Sequence, residues 1–266
     1  MSSALFVNSL PKSGTNLVAK LLSLMGARPS GVSISGGSIH GRHAFLKRLL
    51  RGGCLTSDVM RVGVSTPGFV RSAWVRRKLL STPPGAFATG HMLYSDAFFS
   101  AIQAARLRPV VVVRDPRDVV VSCVNYMKDQ RWHPAYSCYQ TDLESGIRYT
   151  LYGGQANGVY SEGMHSILAG FSPWMHRCDV LVVRFEDLVG VAGGGDKELQ
   201  LKSIAELADW AGLSEFNLAQ VADELFGGTH TFRRGKIGQW RSLDKVLRDE
   251  VSNMLAPYVT AWGYEL

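Results

Sequence analysis

Long hydrophobic runs are absent from this sequence of 266 residues. Its uninterrupted apolar stretches reach four residues at most, as in Val110–Val113, whereas a transmembrane helix needs about 20. The N-terminus also lacks a basic region, and its apolar run stops at Val7, which is unlike a secretory signal peptide. We therefore expect no membrane span and a cytoplasmic protein.

Cysteine is scarce as well. The four cysteines are Cys54, Cys123, Cys138 and Cys178. Their spacing shows no pairs, which argues against a disulfide framework or a zinc ribbon and fits reduced thiols in a cytoplasm. No cluster of His, Cys and carboxylates has the spacing of metal ligands, so we expect no metal site.

Charged residues make up only 19% of the chain against 46% hydrophobic residues, which indicates a globular protein and excludes a disordered one. Lys and Arg outnumber Asp and Glu by 29 to 22, a formal net charge of +7. This excess favours an anionic partner, but by itself it leaves nucleic acid, a membrane surface and a phosphorylated cofactor open.

Short apolar runs bounded by turn residues recur along the chain, and such runs are typical of strands buried on both faces of a parallel sheet. These runs are Ala4–Val7, Ala86–Thr89, Val110–Val113 and Val180–Val183. Helical periodicity follows the first and third runs, and the C-terminal part is predicted to be mostly helical over Leu199–Trp210, Leu218–Leu225 and Leu243–Met254. The pattern predicts a three-layer α/β/α fold with a central parallel sheet, and residues 1–266 are interpreted as a single domain.

Three segments lack a clear pattern. Ser30–Gly41 and Gly190–Gly195 are rich in Gly or Ser and are predicted to be exposed loops. The basic segment Arg71–Lys78 is interpreted as a solvated face.

The first strand leads into a loop, Leu10–Gly14, and a helix is predicted to begin at Thr15. Backbone amides, two hydroxyls and the Lys12 ammonium at a helix N-terminus form a cradle suited to an anion, and Gly14 allows close approach of the backbone. The alternative is an ordinary turn in which Ser13 or Thr15 only caps the helix. The Walker A pattern fails because Lys12 precedes the glycine, and the dinucleotide Gly-x-Gly-x-x-Gly pattern fails too.

Residues 11–15, Pro-Lys-Ser-Gly-Thr, resemble the 5′-phosphosulfate loop of sulfotransferases that use 3′-phosphoadenosine 5′-phosphosulfate (PAPS), of the cytosolic and bacterial type. The resemblance implies a fold like that of P-loop NTPases, PAPS as co-substrate, 3′,5′-ADP (PAP) as product, and no metal. It also implies that five consecutive residues bind the 5′-phosphosulfate of PAPS, namely Lys12, Ser13, Gly14, Thr15 and Asn16. Lys12 is implied to take part in catalysis as well.

A second strand–turn–helix unit places Arg114 at a strand end and Ser122 about two helical turns later. Together they could hold one phosphate; the alternative is that Arg114 pairs with Asp118 or Asp115 while Ser122 only packs. The spacing is similar to the family's 3′-phosphate motif, which implies that Arg114 and Ser122 bind that phosphate and that Asp118 is structural.

Two further elements extend the resemblance. Residues 233–240, Arg-Arg-Gly-Lys-Ile-Gly-Gln-Trp, resemble the family's Arg-Lys-Gly-x-x-Gly-Asp-Trp signature, which implies that Arg233, Arg234 and Gly235 bind the 3′-phosphate. By charge alone, a solvated basic loop is the alternative. Residues 185–188, Phe-Glu-Asp-Leu, resemble the family's Tyr-Glu-Asp-Leu, so Phe185 is expected to contact the adenine without donating a hydroxyl.

His91 is the candidate general base. It follows the strand Ala86–Thr89, whereas His40, His43, His133, His165, His176 and His230 are predicted to be exposed. A structural, hydrogen-bonded role is the alternative for a histidine at this position. The Gly-His pair resembles the strand end of bacterial sulfotransferases, which favours His91 as the base; Thr89 stands where cytosolic relatives have a Lys that binds the sulfuryl group.

These elements predict a sulfotransferase that moves a sulfuryl group from PAPS to a hydroxyl or amine of a small-molecule, lipid or glycan acceptor by in-line displacement. The acceptor pocket is expected beside Ser30–His43 and Tyr126–Tyr139, although the aromatics there could equally be core. A nucleotide-dependent kinase and a non-catalytic nucleotide-binding module are the alternatives. No nucleic-acid partner is expected, and a homodimer is left open.

Overall fold

The computed structural model describes residues 2–40, 43–52, 56–226 and 236–266. Within them the strands, in chain order, are β1 (Leu5–Ser9), β2 (Arg28–Ile34), β3 (Val59–Val62), β4 (Gly68–Arg71), β5 (Ala86–Gly90), β6 (Arg108–Val113), β7 (Gly153–Ala156), β8 (Val159–Glu162) and β9 (Leu181–Arg184). The α-helices are α1 (Thr15–Leu24), α2 (Ala44–Arg51), α3 (Ser72–Leu80), α4 (Asp96–Ala104), α5 (Pro116–Met127), α6 (Leu143–Tyr152), α7 (Met164–Phe171), α8 (Phe185–Leu188), α9 (Gly190–Gly193), α10 (Lys197–Ala211), α11 (Leu218–Leu225) and α12 (Lys245–Ala261).

The central sheet has the order β2-β5-β1-β6-β9, and its adjacent strands are parallel. In this register Val7 of β1 lies opposite Thr89 of β5 and Val110 of β6. All four predicted strands are present in it, each shifted by two residues or fewer at its ends.

Side chains of the sheet alternate between two hydrophobic cores. Leu5 and Val7 of β1 pack with α1, α10 and α11 on one face, whereas Phe6 packs with the helices of the other face, including α4, α5 and α12. Helices therefore cover both faces of a parallel sheet, which confirms the predicted α/β fold.

The prediction of an exposed loop from Ser30 to Gly41 is wrong for the first part of this segment. Residues up to Ile34 form β2, an edge strand paired with β5, and Ile34 is fully buried. Alternating Ser and Gly hid the apolar positions Val32 and Ile34 of this short strand, because only two residues carry the pattern. Gly190–Gly193 likewise forms the short helix α9, with both of its end glycines buried.

The helices predicted in the C-terminal part are confirmed as α10, α11 and α12, with α12 beginning at Lys245 and continuing through Pro257 to Ala261. Among the residues that the structure describes, no helix is long and apolar enough to cross a membrane. The carboxyl ends of β1, β5, β6 and β9 lie along one edge of the sheet, where ligands bind in open α/β folds.

Candidate active site

The loop between β1 and α1, residues 10–14, is called the phosphate loop here after its predicted ligand, and its backbone makes a tight turn. Lys12 has φ 74° and Gly14 has φ 112°, so two residues of the turn occupy left-handed conformations. α1 begins at Thr15, as predicted, so the helix N-terminus directly follows this turn. A Cβ on Gly14 would lie 2.8 Å from a ring carbon of Phe185, so close packing as well as φ favours glycine here.

Two buried polar atoms beside this loop have no hydrogen-bond partner among the described residues. They are the Ser13 hydroxyl, which is fully buried, and Nε of Arg114. Both are hydrogen-bond donors, and buried donors without partners are rare in folded proteins. They fit an anionic, oxygen-rich ligand such as the phosphates of PAPS.

Arg114 ties the loop to a distant part of the chain. Its guanidinium donates to the carbonyl oxygen of Lys236 at 3.0 Å and, more weakly, to the Lys12 carbonyl oxygen at 3.4 Å. It also pairs with Asp118 at 3.4 Å, so the alternative ion pair considered from the sequence is present. Ser122 is half-buried on α5. Binding of the 3′-phosphate by Arg114 and Ser122 stays a prediction.

Asp118 has a structural role beyond its own turn. Its carboxylate is fully buried and accepts from the backbone amides of Gly238 at 2.8 Å and Trp240 at 3.1 Å. It thereby brings the segment that begins at Lys236 against α5. Arg233, Arg234 and Gly235, which the sequence also assigns to the 3′-phosphate, lie outside the described residues.

Phe185 forms a wall of the cradle. Its ring packs against Gly14 on one side and under the Arg114 guanidinium, 4.3 Å from the ring centroid, on the other. The side chain is buried. Contact with an adenine stays a prediction, and in this structure the ring contacts the phosphate loop and Arg114.

The segment that carries Phe185 is held by a buried acidic residue. Glu186 accepts from the Asp115 amide at 2.9 Å and from the Tyr264 hydroxyl at 2.8 Å, and burial raises the pKa of its carboxyl. Glu186 follows Phe185 directly in the Phe-Glu-Asp-Leu motif, but its role depends on contacts with Asp115 and Tyr264 that the motif does not predict.

His91 lies at the carboxyl end of β5 with one ring nitrogen fixed. Nδ1 lies 2.9 Å from the Ser9 carbonyl oxygen, which can only accept, so Nδ1 carries the hydrogen and Nε2 carries the lone pair. Burial, and to a smaller extent the Lys12 charge, lower the pKa of His91, while the bond to Ser9 opposes them. The imidazole is therefore neutral at pH 7, the form that a general base requires.

A short chain of polar groups links His91 to the phosphate loop. The Ser9 hydroxyl is 3.4 Å from Nδ1 of His91 and makes a short hydrogen bond with the Thr15 hydroxyl. Ser9 is not among the predicted site residues, and the signal for it is the polar pair Asn8-Ser9 at the end of an otherwise hydrophobic strand.

The backbone next to His91 is clamped by Asn8, which is fully buried. The Asn8 side chain accepts from the Met92 amide and donates to the Met92 carbonyl oxygen, both at 2.9 Å. The Trp174 indole donates to the same carbonyl at 3.1 Å. These bonds fix the strand end from which the His91 ring projects.

The prediction that the other histidines are exposed holds for His43, His165 and His176 and is wrong for His40 and His133, which are half-buried. Burial lowers the pKa of both of these imidazoles. Nδ1 of His133 accepts from the Ala135 amide at 3.1 Å, which leaves its Nε2 as a donor, the opposite tautomer to His91. His230 lies outside the described residues.

A pocket of about 220 Å³ adjoins the phosphate loop. Its walls include Pro11 and Lys12 of the loop together with several predicted aromatic residues. Those aromatic and imidazole side chains are Tyr126, Trp132, His133 and Tyr139. Among the described residues of Ser30–His43, none lines this pocket. Val64, Ser65 and Glu162 line it instead, although the sequence does not predict them as pocket residues.

Two charged side chains of the described residues line this pocket, and each has a partner beside it. Glu162 pairs with Arg61 at 2.7 Å, and Lys12 lies with its ammonium 4.4 Å from the Tyr126 ring centroid. The remaining lining is predominantly apolar or aromatic. The pocket therefore suits a largely uncharged guest beside the cationic loop.

Comparison with known proteins identifies the family and the fold to which this chain is similar. The family described as "Sulfotransferase domain" matches residues 2–254. Among solved structures the chain is similar to mouse sulfotransferase SULT7A1 complexed with PAP, with a TM-score of 0.61 and 14% identity over 97% of this chain and 85% of that chain. It is also similar to retinol dehydratase, solved with androsterone and the inactive cofactor PAP and again with retinol and PAP, each with a TM-score of 0.56 and 18% identity over 99% of this chain and 82% of that chain. No curated protein matches the sequence.

Proposed function

Because this chain belongs to the sulfotransferase domain family and is a PAPS-dependent sulfotransferase, we propose that it sulfates the hydroxyl of a small, largely apolar acceptor, with His91 as general base. The observation that carries the proposal is the pocket whose wall includes Lys12 of the phosphate loop. It would hold an acceptor directly beside the group that binds the donor.

The donor side of the site fits PAPS by its charge and its donors. Lys12, the Ser13 hydroxyl and the amides at the start of α1 would hold the 5′-phosphosulfate, and Arg114 with Ser122 would hold the 3′-phosphate. PAPS supplies the sulfuryl group and a phosphate leaving group. Lys12 would stabilise the negative charge that grows on that phosphate as the S–O bond breaks.

His91 would act on the acceptor at the Lys12 end of the pocket: His91 does not itself line the pocket, whereas Lys12, whose charge acts on the His91 imidazole, does. With Nδ1 donating to Ser9, the lone pair of Nε2 is free to take the hydroxyl proton while the acceptor oxygen forms its bond to sulfur. The lowered pKa keeps this nitrogen unprotonated at neutral pH. The bond to Ser9 also holds the ring orientation through the reaction.

The size of the pocket narrows the acceptor class. At about 220 Å³ it is smaller than the roughly 300–1,000 Å³ of sites for drug-sized ligands, so the buried part of the acceptor is small. Its aromatic walls favour a ring or a short apolar segment that bears the hydroxyl. A glycan is disfavoured because its several hydroxyls would find few hydrogen-bonding side chains in this mostly apolar lining. The retinol and androsterone bound by retinol dehydratase support an acceptor of apolar character.

A ligand-binding measurement tests the donor. We expect PAP to raise the melting temperature, while 5′-ADP and ATP have little effect, because only PAP carries the 3′-phosphate. Equal stabilisation by ATP would favour the kinase alternative. A shift that is weak, sensitive to salt and indifferent to the 3′-phosphate would favour the non-catalytic module.

A pocket variant tests the acceptor site separately. Ser161 lines the pocket and its neighbour Tyr160 projects from the other face of β8 into solvent. We expect Ser161→Leu to raise the KM for a phenolic acceptor at least tenfold and to leave the PAP-induced shift unchanged, and Tyr160→Leu to change neither. An unaltered KM in Ser161→Leu would place the acceptor elsewhere.

A further inference from the structure

The helix α2 presents its apolar side to solvent. None of its eight residues is buried. The exposed fractions of its large apolar side chains are 82% for Phe45, 51% for Leu46, 65% for Leu49 and 57% for Leu50. Four such residues on one short helix form a patch rather than scattered exposed side chains.

These residues share one face of the helix. At about 100° per residue, Phe45, Leu46, Leu49 and Leu50 fall on one side, and Lys47, Arg48 and Arg51 fall on the other. The sequence of α2 is therefore that of a basic amphipathic helix, and it contains no acidic residue.

The helix is attached to the protein through its cationic side. Lys47 donates to the carbonyl oxygens of Gly37 at 2.8 Å and His40 at 3.0 Å. Arg51 donates to the Ser38 carbonyl at 3.0 Å, and its guanidinium lies 5.3 Å from the ring centroid of Trp74. A surface helix of a globular protein ordinarily packs its apolar stripe inward. In α2 the orientation is reversed, so the apolar stripe is left for something outside the fold.

The same region holds the excess charge of the chain. Residues 44–80 contain eight Lys or Arg and one acidic residue, Asp58, and so account for the entire formal net charge of +7. The remainder of the chain is electrically balanced. Arg61 in this region is paired with Glu162, and Arg76 lies 3.7 Å from Asp58, while Arg77 is exposed.

α3 continues the cationic surface beside α2. Arg71, at the start of α3, makes a short hydrogen bond to the Leu50 carbonyl, which links the two helices. On α3 the positions of Arg76, Leu80 and Arg77 fall within one exposed sector, so cations again flank an apolar side chain. This is the basic cluster Arg71–Lys78 that no part of the nucleotide site uses.

We propose that the α2 surface, formed by Phe45, Leu46, Leu49 and Leu50 of α2 with the exposed cations Arg76 and Arg77 of α3, docks on an anionic lipid bilayer. An anionic bilayer can accommodate both the exposed apolar stripe and the exposed cations. Apolar side chains insert at the boundary between headgroups and acyl chains, while Lys and Arg contact the anionic headgroups. A second copy of this chain is disfavoured as the occupant, since it would oppose two surfaces of the same high positive charge. The proposal is independent of the sulfuryl-transfer reaction.

Vesicle co-sedimentation tests the proposal with the full chain. We expect binding to equimolar phosphatidylglycerol and phosphatidylcholine vesicles that is at least tenfold stronger than binding to phosphatidylcholine alone, and that weakens as salt is added. Absence of binding to the anionic vesicles, or equal binding to both kinds, would overturn the proposal.

Matched variants separate the two contributions. Phe45→Ser/Leu49→Ser should lower binding at least tenfold, whereas Val191→Ser/Val246→Ser, at comparably exposed positions elsewhere, should not. Arg76→Glu/Arg77→Glu should lower binding to a similar degree, and Lys202→Glu/Lys245→Glu should have a small effect. All these side chains are exposed, so the melting temperature and the PAP-induced shift should not change. Undiminished vesicle binding by Phe45→Ser/Leu49→Ser, or loss of a dimer in that variant, contradicts docking through α2.

Discussion

His91 donates its Nδ1 hydrogen to the carbonyl oxygen of Ser9 at 2.9 Å, across the ends of two neighbouring parallel strands. The bond selects the tautomer whose Nε2 can accept a proton. It also joins the base to the strand that leads into the phosphate loop, so the two halves of the site are positioned by one sheet edge.

Replacement of His91 by Ala should lower kcat by about 10²- to 10⁴-fold, the usual contribution of a general base. The donor should still bind, because its proposed contacts lie on the phosphate loop and around Arg114. The measurement is turnover of PAPS with a phenolic acceptor, together with the melting-temperature shift caused by PAP. Retained turnover in His91→Ala would remove the assignment of the base.

The activity should fall at acid pH with a midpoint below 6.5. Burial and the Lys12 charge lower the folded-state pKa of His91, so the ring is mostly neutral at pH 6.5 and becomes protonated, and inactive as a base, as the pH falls through that lowered pKa. The profile of kcat/KM against pH measures this, because kcat/KM reports the groups of the free enzyme. His133 also has a lowered pKa and lines the pocket, so His133→Gln is the control: the acid limb of kcat/KM should persist in it.

The sequence predicted the strands that are apolar throughout and missed those whose pattern is brief. β1, β5 and β6 have continuous apolar residues, because both of their faces are buried. β9 also has a continuous apolar run, although it is an edge strand and only Val183 in it is buried. β2 shows only Val32 and Ile34 among Ser and Gly, and the β3–β4 and β7–β8 hairpins are only four residues per strand. For such strands the pairing partner, and not the local sequence, decides the structure.

The residues of the candidate site also fall into two groups, those that the sequence predicts and those that it does not. Lys12, Gly14, His91 and Arg114 follow strand ends, and chain order together with a motif predicts them as site residues. Their supports are long-range contacts: Asn8 with Met92, Asp118 with Gly238 and Trp240, and Glu186 with Tyr264. The local sequence does not predict which buried amide or carboxylate side chain will form a hydrogen bond with which group distant in the chain.

Asn8 should prove to be a positioning residue for His91. Asn8→Ala removes both bonds to Met92 and leaves the buried Met92 amide without its acceptor, at a cost of about 1–3 kcal/mol in the free energy of unfolding. We expect kcat to fall more than tenfold, with little change in the PAP-induced shift. Urea unfolding and steady-state kinetics measure the two effects. Trp174→Phe removes one donor to the Met92 carbonyl while Asn8 still bonds to it, so its kcat should fall less; a larger fall than in Asn8→Ala would contradict this role.

Cys123 should resist alkylation although it lines the pocket. Burial raises the pKa of its thiol to about 11 against the opposing charges of Lys12 and Arg114. At pH 8 the thiolate is then roughly one part in a thousand. Peptide mass spectrometry after iodoacetamide treatment should show the exposed Cys178 modified at least tenfold faster than Cys123. Similar rates at the two cysteines would mean that the Cys123 side of the pocket is more open and more polar than described.

Gly14 should tolerate a side chain less well than another glycine of similar conformation. Gly26 has φ 94° and no atom within 4 Å of a built Cβ, so Gly26→Ala measures the backbone cost alone, about 1 kcal/mol. Gly14→Ala adds a contact of 2.8 Å with Phe185, and it should therefore lower the free energy of unfolding further and weaken the PAP-induced shift. In a Phe185→Leu background the additional cost should largely disappear, because the ring edge is gone while φ is unchanged. Urea unfolding of the four Gly14 and Phe185 combinations gives the coupling, which should be at least about 0.5 kcal/mol. Equal costs for Gly14→Ala in both backgrounds would show that the ring does not press on this loop.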